Sequence, residues 1–277
     1  MPNLGAAMLD EPILDDIGTI RRQFTAHETL DGRIDQAFEA MKQIGFEALI
    51  YDYTPVPYDL DGAIMIPSLL KLRNISDDMH DYWFNRGYFR IDPVQQVALR
   101  TSAPFFWNYD PDADTLINRF MNDDTAPVTR YLSERDMSTG VTVPVHMPRG
   151  DYATVTGIRF GRNKDFERHA LRYIADFNLL AHVFHETAYS LFDTRAKSVG
   201  TIRLTERERE CLRHSAEGYS AKEISRIIDR SVPTVVMHLN AAAKKLGARN
   251  RTQAVVRATH YRLLEDRPTH NWPPYNL

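Results

Sequence analysis

Four helix-start signals crowd the stretch from Thr205 to Gln253 and leave the backbone there little choice. Thr205 is followed three residues later by Glu208, and Ser220 by Glu223, each a reciprocal capping box that satisfies orphan backbone donors at a helix start. Ser231 stands ahead of Pro233, whose missing N–H does no harm in a first turn, and Asn250 precedes Gln253. Gly218 and Gly247 supply left-handed residues where the first and third of these helices end. Between the signals, Cys211, Leu212, Ser215 and Ala216, then Ile224, Ile227 and Ile228, then Val235, Leu239 and Ala242 keep helical spacing and form inward stripes. A fourth helix runs through Ala254, Val255, Val256 and Ala258. The spacing therefore predicts four short helices, the middle two joined by the tight turn Asp229-Arg230-Ser231, which is a helix-turn-helix pair.

Charge separates this module from the rest. The chain has 277 residues and a net charge of −3, but through Val199 it carries 20 Lys and Arg against 29 Asp and Glu, and from Gly200 to Glu265 13 against 7. A basic module behind an acidic one points to a nucleic-acid partner, because Lys and Arg replace counterions condensed on phosphates. A composition 43% hydrophobic and 26% charged is that of a globular protein and excludes disordered and repeat-array classes. No run is long and apolar enough for a membrane helix, and MPNLGAAMLDEPILDD has acids where a secretory leader would have positive charge, so a cytoplasmic protein without membrane association is expected. One cysteine, Cys211, allows neither an intramolecular disulfide nor a cysteine-rich zinc site.

The order Leu204-Thr205-x-Arg207-Glu208, Ala216-x-Gly218-x-Ser220, Lys222-Glu223-Ile224, Ser231-x-x-Thr234-Val235, His238-Leu239, Lys245-Leu246 and Asn250-Arg251 closely resembles the LuxR-type (GerE-like) DNA-binding domain. The resemblance implies a double-stranded DNA operator, with base-edge contacts from Val236, Met237 and Asn240 and phosphate contacts from Thr234, His238 and Lys244 or Lys245 on the third helix. Many members carry a polar or charged residue where this chain has Val236. Apolar side chains there read only thymine methyls, which leaves adenine readout to Asn240; contact with the N-terminal module or a dimer partner is the alternative use of Val236 and Met237.

The N-terminal part lacks a Gly-rich phosphate loop, a Gly-x-Ser-x-Gly elbow, a His-Glu-x-x-His pair and clustered metal ligands, so no enzyme is expected. His182 and His185 sit three apart on a helical pattern and are read as helix surface or core. Ala48–Tyr51, Gly140–Val145 and Ala153–Ile158 read as strands, flanked by helical patterns that end in a long segment from Lys164 to Phe192. The class expected is α+β: an α-β-α sandwich with a ligand cavity over residues 1–193, a linker over 194–203, an all-α four-helix helix-turn-helix domain over 204–265 and a proline-rich extended tail over 266–277.

The series Met79-x-x-x-Trp83-x-x-x-Gly87-Tyr88-x-x-Ile91-Asp92-Pro93, then Pro104-Phe105-Phe106-Trp107 and Gly140-x-Thr142-x-Pro144-x-His146, resembles the autoinducer-binding domain of quorum-sensing LuxR-type regulators. In that family a buried acylhomoserine lactone gives its amide N–H to the aspartate matching Asp92, a tryptophan matching Trp107 packs the head group, and Thr156 falls where a hydroxyl meets the acyl carbonyl. A helix-cap role for Asp92 and plain core packing for Trp107 are the structural alternatives. The candidate ligand set is Asp92, Trp83, Met79, Trp107, Thr156, Ile75 and Phe106; no cofactor is expected, only a small-molecule signal. Met79 stands where most members have a tryptophan that donates to the lactone carbonyl, and Trp83 where they have tyrosine, while Ile75 occupies a position that is tyrosine in some. Losing a buried donor costs about 1 to 3 kcal/mol. These departures match the plant-associated solo subgroup, which responds to plant-derived compounds; an acyl- or aroyl-homoserine lactone receptor and a ligand-independent DNA binder are the alternatives. A homodimer is expected, with the helix carrying Leu171, Ile174, Phe177, Leu180 and Phe184 either at its interface or in the core. RNA polymerase is a further candidate partner.

Overall fold

The computed structural model describes residues 16–161, 166–193, 196–199 and 202–264. The start of the long helical segment at Lys164, residues 194, 195, 200 and 201 of the expected linker and residues 265–277 with the proline-rich tail lie outside the described residues. By its internal contacts the chain divides into two compact units: one reaches Tyr51 and takes in Leu70–Val145 and Ala153–Leu191, and the other joins Asp52–Leu69 and His146–Tyr152 to the chain from Phe192 onward. The division is therefore not the single cut at residues 194–203 that the sequence suggests.

In the first unit, helices α1 (Ile17–Thr25) and α2 (Leu30–Gln43) precede strands β1 (Ala48–Thr54) and β2 (Leu69–Arg73). Then come α3 (Asp78–His80), a π-helical turn (Asp81–Asn85), α4 (Tyr88–Ile91), α5 (Pro93–Ala98), β3 (Phe105–Asn108), a 3-10 turn (Leu116–Phe120) and α6 (Ala126–Ser133). Strands β4 (Thr139–His146) and β5 (Tyr152–Arg159) lead to α7 (Phe166–Tyr189). The five strands form one sheet in the order β2-β1-β5-β4-β3. The three strands predicted from hydrophobic pattern are β1, β4 and β5, the central ones; the edge strands β2 and β3 are too short for a periodic signal to stand out.

Helices α1, α2 and α7 cover one face. Phe24 of α1 meets Phe184 of α7 at 5.6 Å and Tyr51 of β1 meets Phe184 at 4.8 Å. Arg33 of α2, buried itself, donates to the Thr187 carbonyl near the end of α7 and, at 2.8 Å, to that of His27. The predicted stripe on α7 splits: Phe177, Leu180 and Phe184 are core residues, Ile174 is half-buried and Leu171 is 53% exposed. His185 is buried with Nδ1 2.9 Å from the Tyr51 hydroxyl, and His182 is exposed against its own helix backbone. The 3-10 turn packs against β3 and α5.

In the second unit, α8 (Glu206–Ala216), α9 (Ala221–Ile227), α10 (Val232–Lys245) and α11 (Arg251–His260) are the four predicted helices. Thr205 with Glu208 and Ser220 with Glu223 make full capping boxes, and the Ser231 and Asn250 side chains cap α10 and α11. Gly218 and Gly247 have φ of 95° and 62°, and Asp229 in the α9–α10 turn has φ 52°. Cys211, Leu212, Ile224, Val235 and Ala242 are wholly buried. Ile227, predicted to share the α9 stripe, is 49% exposed, because α9 closes there and Ile224 and Ile228 take the inward positions one turn apart. Val56 joins this core, and His260 and Arg262 bond the carbonyls of Tyr58 and Arg149, which ties the two inserted segments to the helices.

Candidate functional site

Strand β3 alternates, with Phe105 and Trp107 buried on one face and Phe106 and Asn108 half-buried on the other. Trp107 pairs across the ladder with Gly140 of β4. A Cβ at Gly140 would stand 2.4 Å from the indole and 2.6 Å from the Gly157 carbonyl, so only glycine lets the ring lie flat there. The indole N–H donates to Thr142 Oγ1 at 2.9 Å, and that hydroxyl lies 2.8 Å from Thr156 Oγ1. Trp107, Thr142 and Thr156 thus form one hydrogen-bonded row across three strands, all buried.

Asp92 ends α4 and caps α5, its Oδ1 accepting from the Val94 N–H at 2.9 Å. The same oxygen accepts from the Tyr109 hydroxyl at 2.5 Å. Tyr109 sits two residues beyond Trp107, hence on the same side of the chain, and its ring lies 5.4 Å from the indole. Burial pushes the Asp92 carboxyl up to about 6, although the Tyr109 and Val94 bonds pull it down. Burial also carries the Tyr109 hydroxyl well above its ordinary range, helped by the neighbouring Asp92 charge.

Met79 in α3 and Trp83 in the π turn are both buried. Trp83 packs against Tyr88 at 6.2 Å and Tyr131 of α6 at 5.8 Å. Tyr82, Arg86, Tyr88, Arg130 and Tyr131 line a cleft of about 380 Å³ on the outer side of this cluster. Ile75, ahead of α3, is half-buried.

Phe106, the remaining member of the candidate ligand set, lies apart from Trp107 and Thr156. As the residue before Trp107 it points through the opposite face of the strand and packs on Phe166 of α7 at 6.0 Å, so it does not share the row formed by Trp107, Thr142 and Thr156. Tyr109 and Thr142 were not in the candidate ligand set, yet a period of two through Trp107 reaches Tyr109, and Thr142 lies in the quoted Gly140-x-Thr142 motif.

On α10, Val236 and Met237 are 41% and 56% exposed, and Asn240 and Lys244 also face outward. Thr234 and His238 are half-buried, with the Thr234 hydroxyl 2.8 Å from Ser231 Oγ. Asn240, Lys244, Arg249 and Arg251 line a groove of about 370 Å³. Lys245 is held differently: its Nζ lies 2.7 Å from Glu208 Oε2, an oxygen that also accepts from the Thr205 N–H at 2.7 Å. Burial raises Glu208, but Lys245 and the Thr205 bonds outweigh it and leave the carboxyl below its ordinary value. Of the two lysines offered for phosphate, Lys244 is the one without this tie.

A sheet-and-helix module with a buried polar row, joined to a capped helix-turn-helix with an outward recognition helix, defines a ligand-responsive DNA-binding regulator. Residues 29–188 match the autoinducer binding domain family and residues 203–258 the luxR family of bacterial regulatory proteins. The chain belongs to the LuxR family of transcriptional regulators; it is not an enzyme. It is 32% identical over 234 residues to the transcriptional activator protein BjaR1 of Bradyrhizobium diazoefficiens, covering 81% of this chain and 86% of that one. It is also 32% identical over 220 residues to the quorum sensing-dependent transcriptional regulator RpaR of Rhodopseudomonas palustris, covering 77% and 84%. The fold is that of Escherichia coli SdiA, with TM-score 0.55, 20% identity, and coverage of 90% of this chain and 98% of SdiA. Among the described residues no helix is long and apolar enough to cross a membrane.

Proposed function

We propose that this regulator is a quorum-sensing receptor for an acyl- or aroyl-homoserine lactone, bound in the core of the first unit with its amide N–H on Asp92. The observation that carries the reading is a buried carboxylate with no cationic partner among the described residues, bonded to Tyr109, whose ring lies against the tryptophan that sits over glycine and bonds a pair of threonine hydroxyls. A carboxylate in such a place is costly unless donors meet it, and an amide N–H is a strong one. Kinship with a regulator named for quorum sensing supports the same assignment. Ligand present at a hundredfold its Kd adds about 2.7 kcal/mol to the folded state, which drives assembly of a cytoplasmic homodimer on a pseudo-palindromic operator and contact with RNA polymerase. In the bound state Val236, Met237 and Asn240 face bases, and Thr234, His238 and Lys244 face phosphates.

A second reading rests on Met79 and Trp83. Methionine brings no donor for a lactone carbonyl, and its flexible thioether accepts varied shapes, as a plant-derived low-molecular-weight signal would require. A thermal-shift and operator-reporter screen separates the readings. Stabilisation by a lactone panel supports the first, and a response to plant-extract fractions alone supports the second. In both cases Asp92→Ala abolishes the response. Soluble dimer that binds DNA and responds to neither defeats both and leaves a ligand-independent regulator.

A further inference from the structure

We propose that Tyr109 is a positioning residue of the signal site: its hydroxyl fixes the Asp92 carboxylate as an acceptor, and so selects ligands that present a neutral N–H donor. The inference rests on the reading of Asp92 as the signal's acceptor and adds to it a second residue, Tyr109, that sets how the acceptor is presented.

The geometry is closed on every side of Tyr109. Its backbone N–H extends the β3–β4 ladder to the Ser138 carbonyl at 2.9 Å, its ring tilts 65° against Trp107, and only 2% of the residue is exposed. From that fixed base the hydroxyl reaches Asp92 Oδ1, the oxygen already held by the Val94 N–H. Two donors on one oxygen fix the plane of the carboxylate and leave its remaining acceptor capacity on Oδ2. Among the described residues, the groups that act on Asp92 are the Tyr109 hydroxyl and the Val94 N–H, with no cation among them. A ligand must therefore bring a donor. A ligand carboxylate would instead set a second negative charge in a buried site where the described residues offer no counter-ion. Tyr109 also opposes the effect of burial on Asp92, which keeps the carboxylate ionised and a stronger acceptor at neutral pH.

The test uses the full chain and N-octanoyl-homoserine lactone, with its ester isostere, which lacks the N–H, as the control probe. Tyr109→Phe keeps the ring against Trp107 and removes only the hydroxyl. The expected result is lactone affinity about tenfold lower, with the acid limb of the binding profile moved to higher pH and the ester insensitive to the change. Replacing Tyr109 with difluorotyrosine, a stronger donor, moves the limb to lower pH. Equal affinity and an unmoved limb in both variants would overturn the proposal. A ligand-free arm follows the Asp92 carboxyl carbon by NMR: its midpoint rises in Tyr109→Phe and falls with difluorotyrosine, and an unchanged midpoint also overturns the proposal. Wild-type protein that ignores the lactone while these midpoints move contradicts the lactone reading alone.

Discussion

Two buried carboxylates, each at the start of a helix, have opposite fates in this molecule. Glu208 closes the capping box of α8 and takes Lys245 at 2.7 Å, and its pKa lies below the ordinary value. Asp92 caps α5 and, among the described residues, meets only a phenol and a backbone N–H, and its pKa rises to about 6. Burial pushes both upward, Asp92 the more because it is the more deeply buried, and at Glu208 the Lys245 cation together with the Thr205 bonds reverses the sign. A carboxylate with a cation is fully engaged in holding α8 to α10, whereas one with neutral donors keeps appetite for another donor. The contrast separates a structural acid in the DNA-binding helices from the acid proposed to meet the signal in the sensor.

The largest expected effect comes from the sheet beneath Trp107. Gly140→Ala forces a methyl into Trp107 and the Gly157 carbonyl and costs about 3 kcal/mol, read as a lowered denaturant midpoint. Glu208→Ala removes half a capping box and the Lys245 partner and costs about 2 kcal/mol, with the loss seen in melting of the C-terminal helices.

Acid sharpens the comparison. The folded pKa of Asp92 is raised above its unfolded value of 3.8, so the folded state holds this proton more tightly and the group's contribution to stability grows as pH falls from about 6 toward 4. The gain is on the order of 2 to 3 kcal/mol and is absent in Asp92→Asn. Glu208 has the opposite sign: its contribution is present above the ordinary carboxylate range and is lost as pH falls through its depressed folded value. Melting temperatures of wild type, Asp92→Asn and Glu208→Gln across mild acid should separate the two slopes.

The smallest effect concerns the operator. With Val236 and Met237 exposed on α10 and proposed to face bases, replacing operator thymines by deoxyuridine should weaken binding by about two- to fivefold in a gel-shift titration, whereas Val236→Ala should show little further loss on the deoxyuridine site.

What was legible in the sequence follows from how local each signal is. Thr205 and Glu208, or Ser220 and Glu223, specify a helix start within four residues, and the structure places every one of those caps as read. The sensor's strands β1, β4 and β5 also showed in their pattern, while β2 and β3 did not. The site was harder, because its parts meet only through the sheet. Phe106 and Trp107 are neighbours in sequence and face opposite layers, whereas Asp92 and Tyr109 are joined only after α5 and β3 have folded. Lys244 and Lys245 look alike in sequence, and only the packing of α8 on α10 shows that Glu208 claims the second.

The central claim is that Asp92 is the acceptor for the signal. Calorimetric titration of the full chain with N-acylhomoserine lactones of graded chain length, wild type against Asp92→Asn, tests it directly. The account predicts binding by the wild type that weakens below about pH 6, and binding by Asp92→Asn at least tenfold weaker at neutral pH with no such limb. Equal affinity in the two proteins with the same pH profile would contradict it.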